Sequence, residues 1–262
     1  MQGSLKSRPV SHSEPMRTAP IHLRPTAPLA ERVLLPGDPG RALALAQALL
    51  DEPRMFNHHR GLWGYTGAAP DGEPLTIQST GMGGPSAAIV LQELIALGAR
   101  RAIRTGTCGA LAAELALGDL VLARESICAD GASRALGAGE RVAADGPLTE
   151  ALSRAAVTHM QTGPSAGPSA RRAHSGTIVS TDLFYDPSPE RNPGWSADGA
   201  LAVEMEAAAL FAVGARAEIP VACLLIVSDT FSPAGEREHI DDDALLHAAE
   251  AMGAVAVAAL SG

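Results

Sequence analysis

Short apolar runs alternate with segments of helical periodicity over most of the chain. The apolar runs predict strands, and the segments in which apolar positions recur every three or four residues predict helices. Thr149 and the acidic run 241–243 are expected at helix N-termini. The predicted strands cover residues 32–36, 75–80, 101–106, 119–127, 173–182 and 221–229, and the predicted helices cover 40–50, 86–98, 149–160, 204–218 and 241–260.

This alternation predicts an α/β fold, a three-layer α/β/α sandwich in which helices cover both faces of a mostly parallel or mixed sheet. Residues 21–262 show neither a repeat nor a linker that marks a boundary, so we expect one domain. Residues 1–20 are rich in Ser, Arg, Pro and Thr and have no apolar core. We expect them to form a disordered tail and not a signal peptide.

Composition narrows the function classes. The net charge of −9 disfavours a nucleic acid or an anionic membrane as partner. Lys6 is the only lysine, which excludes a Walker-type phosphate loop and Schiff-base chemistry. The dispersed Cys108, Cys128 and Cys223 predict neither a disulfide framework nor a zinc site, and they favour the cytoplasm. No apolar run predicts a membrane span.

Candidate chemistry follows the predicted strands, because ligands bind at the carboxyl ends of strands in such sheets. The turn PGDPGR is compatible with a helix capped by Asp38, or with an anion site made of glycine amides and Arg41. Arg104 ends an apolar strand and needs either a core carboxylate or a bound anion. Asp229 ends the run VACLLIV and is either a turn residue or a carboxyl, partly removed from water, that donates a proton.

VEMEAAAL places Glu204 and Glu206 on either side of Met205 at the head of an alanine-rich segment. Acidic residues in a first helical turn are favoured by the helix dipole. In a ligand site, a carboxylate can instead hold two sugar hydroxyls, and a methionine supplies an adaptable apolar wall. His58 and His59 are expected to be a solvated pair, so no metal site is predicted.

Several motifs occur along the chain in a fixed order: LLPGDPGR, RGLWGYTG, TGMGGPS, RTGTCGAL, STDLFY, VEMEAAALF and VSD. In this order they resemble the hexameric bacterial purine nucleoside phosphorylases, within the nucleoside and uridine phosphorylase superfamily. The resemblance covers residue 21 to the C-terminus. It implies a single-domain sandwich with a mixed, partly barrel-like sheet, and a homohexamer built as a trimer of dimers with shared active sites.

The resemblance also implies a reaction, in which inorganic phosphate attacks C1′ of a purine (deoxy)ribonucleoside and releases the base and (deoxy)ribose 1-phosphate. No metal or organic cofactor is expected, since phosphate is the co-substrate. Asp229 would protonate purine N7 with help from Arg237. Arg60 and His22 would reach into a neighbouring subunit's site.

The remaining implied roles divide by the part of the substrate that is bound. The phosphate site would consist of Gly37, Arg41, Arg60, Arg104 and Thr107. The ribose site would consist of His22, Met82, Met205 and Glu206. The base site would consist of Cys108, Gly109, Phe184, Val203, Glu204 and Ser228.

Other readings stay open at this point. STGMGGPS and SICADGAS resemble the uridine phosphorylase branch, but Pro189 stands where its base-reading glutamine is expected. A pyrimidine needs no N7 proton, so Asp229 favours a purine. Gly61 stands near the position of that branch's potassium-binding glutamate, so no such ion is expected. A nucleosidase, which uses water in place of phosphate, is a further alternative, but Arg41 and Arg104 argue against it. A non-catalytic nucleoside-binding protein is another alternative.

Overall fold

The structure is a computed structural model that describes residues 20–162, 172–188, 191–231 and 237–261. Almost all of the predicted tail, the loop at 163–169 and Pro189 lie outside these residues. The described strands are β1 (Arg32–Leu35), β2 (Asp51–Asn57), β3 (Gly64–Ala68), β4 (Pro74–Gln78), β5 (Arg101–Ala110), β6 (Leu120–Ala129), β7 (Arg141–Ala143), β8 (Ala173–Thr181), β9 (Ala200–Glu204), β10 (Val221–Phe231) and β11 (Arg237–His239). The described helices are α1 (Pro39–Leu49), α2 (Gly84–Leu97), α3 (Gly131–Ala135), α4 (Gly146–Thr162), α5 (Arg191–Ala197), α6 (Ala207–Ala217) and α7 (Asp242–Leu260).

The strands form one mixed sheet in the order β11-β10-β6-β8-β9-β5-β1-β4-β3-β2, with β7 beside β6. An additional parallel pairing of β10 with β5 closes β10, β6, β8, β9 and β5 into a barrel. The parallel strands β1, β4, β5 and β10 run in one direction, so their carboxyl ends meet at one edge. The predicted α/β sandwich with a mixed, partly barrel-like sheet is confirmed.

Two apolar layers hold helices on the two faces of the sheet. Leu45 of α1, Leu152 of α4 and Met252 of α7 belong to one layer. Leu91 of α2 and Leu210 of α6 belong to the other. Because side chains alternate along a strand, neighbouring residues of β1 enter opposite layers, which is why this strand reads as a continuous apolar run.

Several element boundaries differ from the predictions. The strand predicted at 101–106 continues to Ala110, because its small residues pair on both sides with β9 and β10. The helix predicted from Glu204 begins only at Ala207, since Glu204 ends β9. Thr149 is not a cap: the carboxylate of Asp145 accepts the Leu148 amide at 2.8 Å.

The strands β2, β3, β7, β9 and β11 and the helices α3 and α5 were not predicted. Most of these elements are too short to show an apolar period, and β2 shows none because it is exposed over most of its length. No apolar run was predicted to span a membrane, yet α7 is long and apolar enough to do so by length and composition alone, with a mean hydropathy of 1.4 over 18 residues. Half of that stretch is buried, and the helix packs against α1 and α4 in the core.

Candidate active site

Two glycine-containing turns meet at the edge where β1 and β4 end. The Gly81 amide donates to the Gly37 carbonyl oxygen at 3.0 Å, and a Cβ added at Gly37 would lie 3.3 Å from the Gly81 oxygen. Gly81 and Gly83 have φ of +72° and +85°, a conformation that glycine adopts without strain. These turns therefore bring backbone amides close to the start of α1 and α2.

Arg41 stands in the first turn of α1, next to this edge. Asp38 caps the helix by accepting the Arg41 amide at 2.7 Å, as predicted. Burial lowers the pKa of Arg41; the charge of Asp38 raises it, and the charge of Arg104 lowers it further. Two guanidinium groups thus lie within electrostatic reach of each other, an arrangement that favours a bound anion.

Arg104 is the most completely enclosed cation of the site. Its Nε donates to Glu204 Oε2 at 2.8 Å and its Nη2 pairs with Glu206, while all three side chains are nearly buried. Its Nη1 is buried without a hydrogen-bond partner among the described residues. A Cβ at Gly106 would lie 2.7 Å from the Arg104 Cζ, so glycine makes the room for the guanidinium.

Glu206 links this arginine to the turn before α2. Its Oε1 accepts the Gly83 amide at 2.5 Å, and its Oε2 pairs with Arg104. The residue stands at the N-cap position of α6 but makes no side-chain cap to its own helix. Of the predicted ribose contacts, Met205 is half-buried and Met82 is 86% exposed at the tip of the turn.

Glu204 is occupied by partners within the chain. Besides Arg104, its oxygens accept the Ser180 hydroxyl and the amides of Glu206 at 2.9 Å and Ala207 at 3.0 Å. Burial raises the pKa of Glu204, and the charge of Arg104 opposes that effect. The geometry favours a role in holding Arg104 and the start of α6, and its predicted contact with the base stays a prediction.

The predicted base site lies where β5 runs between β9 and β10. Gly109 pairs with Val203 on one side and Asp229 on the other. A Cβ at Gly109 would lie 3.4 Å from Val203 Cγ1 and 4.0 Å from Asp229 Cβ, so this glycine leaves space between them. Cys108 points into the core instead, where burial raises the pKa of its thiol.

Asp229 owes its placement to an irregularity of β10. The pairing with β5 shifts by one residue between Val227 and Asp229, so Ser228 forms a bulge. The Ser228 hydroxyl lies 2.8 Å from Asp229 Oδ2 and 3.3 Å from the Cys108 carbonyl oxygen. Bulges re-aim side chains next to active sites, and here the bulge leaves a buried carboxylate beside Gly109.

Two side chains of β11, an arginine and a histidine, lie against this carboxylate. Arg237 Nε lies 3.1 Å from Asp229 Oδ1 as an ion pair, and His239 Nδ1 contacts the same oxygen. The Arg237 Cζ lies 4.2 Å from the ring centroid of Phe184, which is 51% exposed. The structure thus brings Arg237, Phe184 and Asp229 together.

His239 was missed by the sequence reasoning. The motif VSD drew attention to Asp229, but β11 is only three residues long and carries no apolar period. A signal was present: Arg237 and His239 are two residues apart, so on a strand both face the same way.

His22 and Arg60 are the two residues expected to reach a neighbouring subunit's site. His22 Nδ1 is 2.7 Å from Glu93 Oε1, and the Glu93 carboxylate also accepts three successive amides at residues 21–23. Desolvation and the charges of Arg24, Arg60, His58 and His22 lower the pKa of His59, so these side chains lie near it. No hydrogen bond or ion pair within the described residues joins His22 or Arg60 to Arg41 or Arg104.

Arg60 also has an unusual backbone. It is exposed and has a φ of 59° and a ψ of 21°. A non-glycine residue in this left-handed region costs about 1 kcal/mol or more, and such residues cluster at functional sites. Thr107 lies half-buried on β5, three residues beyond Arg104. The described residues contain no group of three or more His, Cys, Asp or Glu side chains arranged to hold a metal ion.

Comparison with known proteins decides the family. The sequence profile of the Phosphorylase superfamily matches residues 31–261, which include nearly every residue described above. The chain belongs to the phosphorylase superfamily. The resemblance inferred from the ordered motifs is therefore confirmed.

Curated members of the superfamily are similar over most of their length. The DeoD-type purine nucleoside phosphorylase of Caldanaerobacter subterraneus subsp. tengcongensis is 36% identical over 203 residues, which cover 77% of this chain and 84% of that protein. The DeoD-type enzymes of Clostridium perfringens and Clostridium novyi are 36% and 35% identical, and cover 79% and 80% of this chain and 85% and 89% of their own.

Proposed function

We propose that the protein catalyses phosphorolysis of purine (deoxy)ribonucleosides, yielding the free base and (deoxy)ribose 1-phosphate for nucleoside salvage. The observation that carries this proposal is the Arg104 guanidinium, which is held by two glutamates and keeps one buried nitrogen without a partner among the described residues. A buried donor of this kind needs an acceptor, and a phosphate oxygen supplies one. The similarity to DeoD-type enzymes supports the same reading.

The phosphate end of the site would work by charge and position. Arg41 and Arg104 hold the anion, together with amides of the glycine turns near Gly37. Glu206, bridging Arg104 and the Gly83 amide, stands where it can exchange a contact for ribose hydroxyls. As the glycosidic bond lengthens, the sugar gains positive charge, which the phosphate and this carboxylate stabilise.

The base end would work by proton donation. Asp229, beside the space left by Gly109, gives a proton to N7 of the departing purine. The electron pair of the C1′–N9 bond then leaves with a neutral base. Arg237 stabilises the resulting carboxylate from 3.1 Å, and Phe184 offers a face to the purine ring. No metal or organic cofactor is required for these steps.

We also propose a homohexamer, a trimer of dimers in which His22 and Arg60 complete the site of a neighbouring subunit. The charges of both residues act on His59, and within the described residues neither makes a hydrogen bond or an ion pair with Arg41 or Arg104 of the same chain. The three buried free cysteines fit a reducing cytoplasm, which we propose as the location.

Phosphate dependence tests the reaction. Inosine, guanosine, adenosine and uridine are incubated separately with and without inorganic phosphate, and base and sugar phosphate are quantified. We expect purine release only with phosphate. Release without phosphate would indicate a nucleosidase, and dominant uridine turnover would indicate a uridine phosphorylase. Arg41→Gln should raise the phosphate KM, whereas the matched change Arg154→Gln, at an exposed position of α4, should not.

Complementation tests the shared site. Arg60→Ala and Arg104→Ala subunits are each expected to be nearly inactive alone. When they are unfolded together and refolded, mixed oligomers contain some sites with both arginines, so activity should return. No recovery in mixtures that sediment as oligomers would contradict the assignment of Arg60 to a neighbouring site.

A further inference from the structure

His239 is placed to act on Asp229. The two residues face each other across the antiparallel pair of β10 and β11, and His239 Nδ1 contacts Asp229 Oδ1. The imidazole side chain is 61% exposed, whereas the Asp229 side chain is only 10% exposed. His239 therefore connects a buried carboxyl group to solvent.

The other partners of Asp229 cannot supply a proton. Arg237 stays charged at all relevant pH values, and the Ser228 hydroxyl is too weak an acid to give up its proton. Histidine is the side chain that ordinarily gains and loses a proton between pH 5 and 8. Each turnover would leave Asp229 without the proton given to N7, so a source is needed.

We propose that His239 is a positioning residue that orients Asp229 through Nδ1 and returns a proton to it. This inference rests on the proposed function. The protonated imidazole passes one proton to the Asp229 carboxylate, and the carboxylic acid passes one proton to N7 as the C1′–N9 bond breaks. The neutral imidazole then takes up one proton from solvent at its exposed side, and the hydrogen phosphate that becomes the sugar phosphate releases one proton to solvent, so protons balance in each cycle.

The pH dependence follows from this relay. In this relay a protonated imidazole at low pH can return a proton to Asp229. As pH rises and the imidazole loses its proton, the rate of purine release is expected to fall. Groups of both charge signs surround the imidazole. The charged or titratable groups nearby are Asp229 on β10, Arg237 and Glu238 on β11, Asp241 at the N-cap of α7, and the buried thiol of Cys108 near Asp229.

The test compares a substrate that needs a proton at N7 with one that does not. Inosine requires protonation at N7, whereas an N7-methylated purine nucleoside already carries the positive charge and requires none. His239→Asn retains an amide donor near the Nδ1 position but has no titratable proton. We expect its kcat for inosine to fall about tenfold to a hundredfold with loss of the alkaline decline, and its kcat for the methylated nucleoside to stay unchanged.

Controls separate the possible failures. His247→Asn on the exposed side of α7 is the matched change and should alter neither substrate; melting temperatures verify that both variants fold. An equal loss on both nucleosides, or no loss on inosine, would overturn the role of His239. If the wild-type protein cleaved neither nucleoside with phosphate, the proposed function itself would be overturned, and this inference with it.

Discussion

Replacing Gly106 by alanine tests whether the position of the Arg104 guanidinium sets phosphate affinity. The new Cβ would lie 2.7 Å from both Cζ and Nη2 of Arg104. Favourable contacts between carbon atoms are about 3.5–4.0 Å, so the guanidinium must withdraw by roughly 1 Å. It cannot swing away freely, because Glu204 and Glu206 hold it inside the core.

The expected magnitude follows from the contacts at risk. A charge-assisted hydrogen bond contributes about 1.5–3 kcal/mol, so losing one to phosphate should raise the phosphate KM about tenfold to a hundredfold. Overpacking should cost about 1–3 kcal/mol of folding free energy, a drop in melting temperature of about 5 °C. Nucleoside KM should change less, because Arg104 reaches the nucleoside only through Glu204 and Glu206.

Initial rates at varied phosphate and saturating inosine measure the effect, and calorimetric titration with phosphate alone checks it. Gly109→Ala is the informative counterpart: its Cβ would lie 3.4 Å from Val203, so it should raise the nucleoside KM instead. Gly194→Ala, with nothing within 4 Å, is the neutral control. An unchanged phosphate KM in a folded Gly106→Ala protein would refute the reasoning.

Three further predictions concern other parts of the molecule. The hydrogen bond from Arg32 holds the pKa of Asp71 below its ordinary range, so this pair stabilises the fold above about pH 4 and the effect is lost as pH falls. Asp71→Asn should therefore lower the free energy of unfolding in urea by about 1–3 kcal/mol at pH 7. A difference between variant and wild type that stayed constant down to pH 2 would contradict this. Glu93→Gln should loosen His22 and raise the nucleoside KM about threefold to tenfold while leaving the phosphate KM alone; equal changes in both would argue against it. Because burial raises the pKa of the Cys108 thiol, iodoacetamide should label it only after unfolding, as mass spectrometry of native and urea-treated protein would show.

Much of the central sheet was predictable because each strand of the parallel part is buried on both faces. A continuous apolar run such as the one ending at Asp229 has few alternatives once helical segments flank it. The strand that carries Arg104 was predicted too short, because its Thr-Gly-Thr-Cys-Gly continuation resembles a turn in composition. Its extended conformation comes from pairing with β9 and β10, which are distant in sequence.

Site residues could be predicted where the chemistry of one side chain requires a partner. They could not be predicted where the fold alone decides which residues meet. A charged arginine at the end of an apolar strand required carboxylates or an anion, and the structure supplies Glu204 and Glu206 with one nitrogen left over. That Glu204 turns inward to Ser180 and the amides of α6 depends on where β9 ends, which no local pattern reveals. His239 likewise becomes relevant only through the pairing of β11 with β10.

The extra residue at Ser228 has a consequence for how this scaffold can diverge. Asp229 pairs with Gly109 directly after Val227 pairs with Cys108, so a chain without Ser228 could pair these residues in regular register and keep the acid beside Gly109. It would lose the local bend of β10 and the hydroxyl that lies 2.8 Å from Asp229 Oδ2. The aim of the acid would then change while the full set of aspartate and arginines stayed in place, a distinction visible in chain spacing alone.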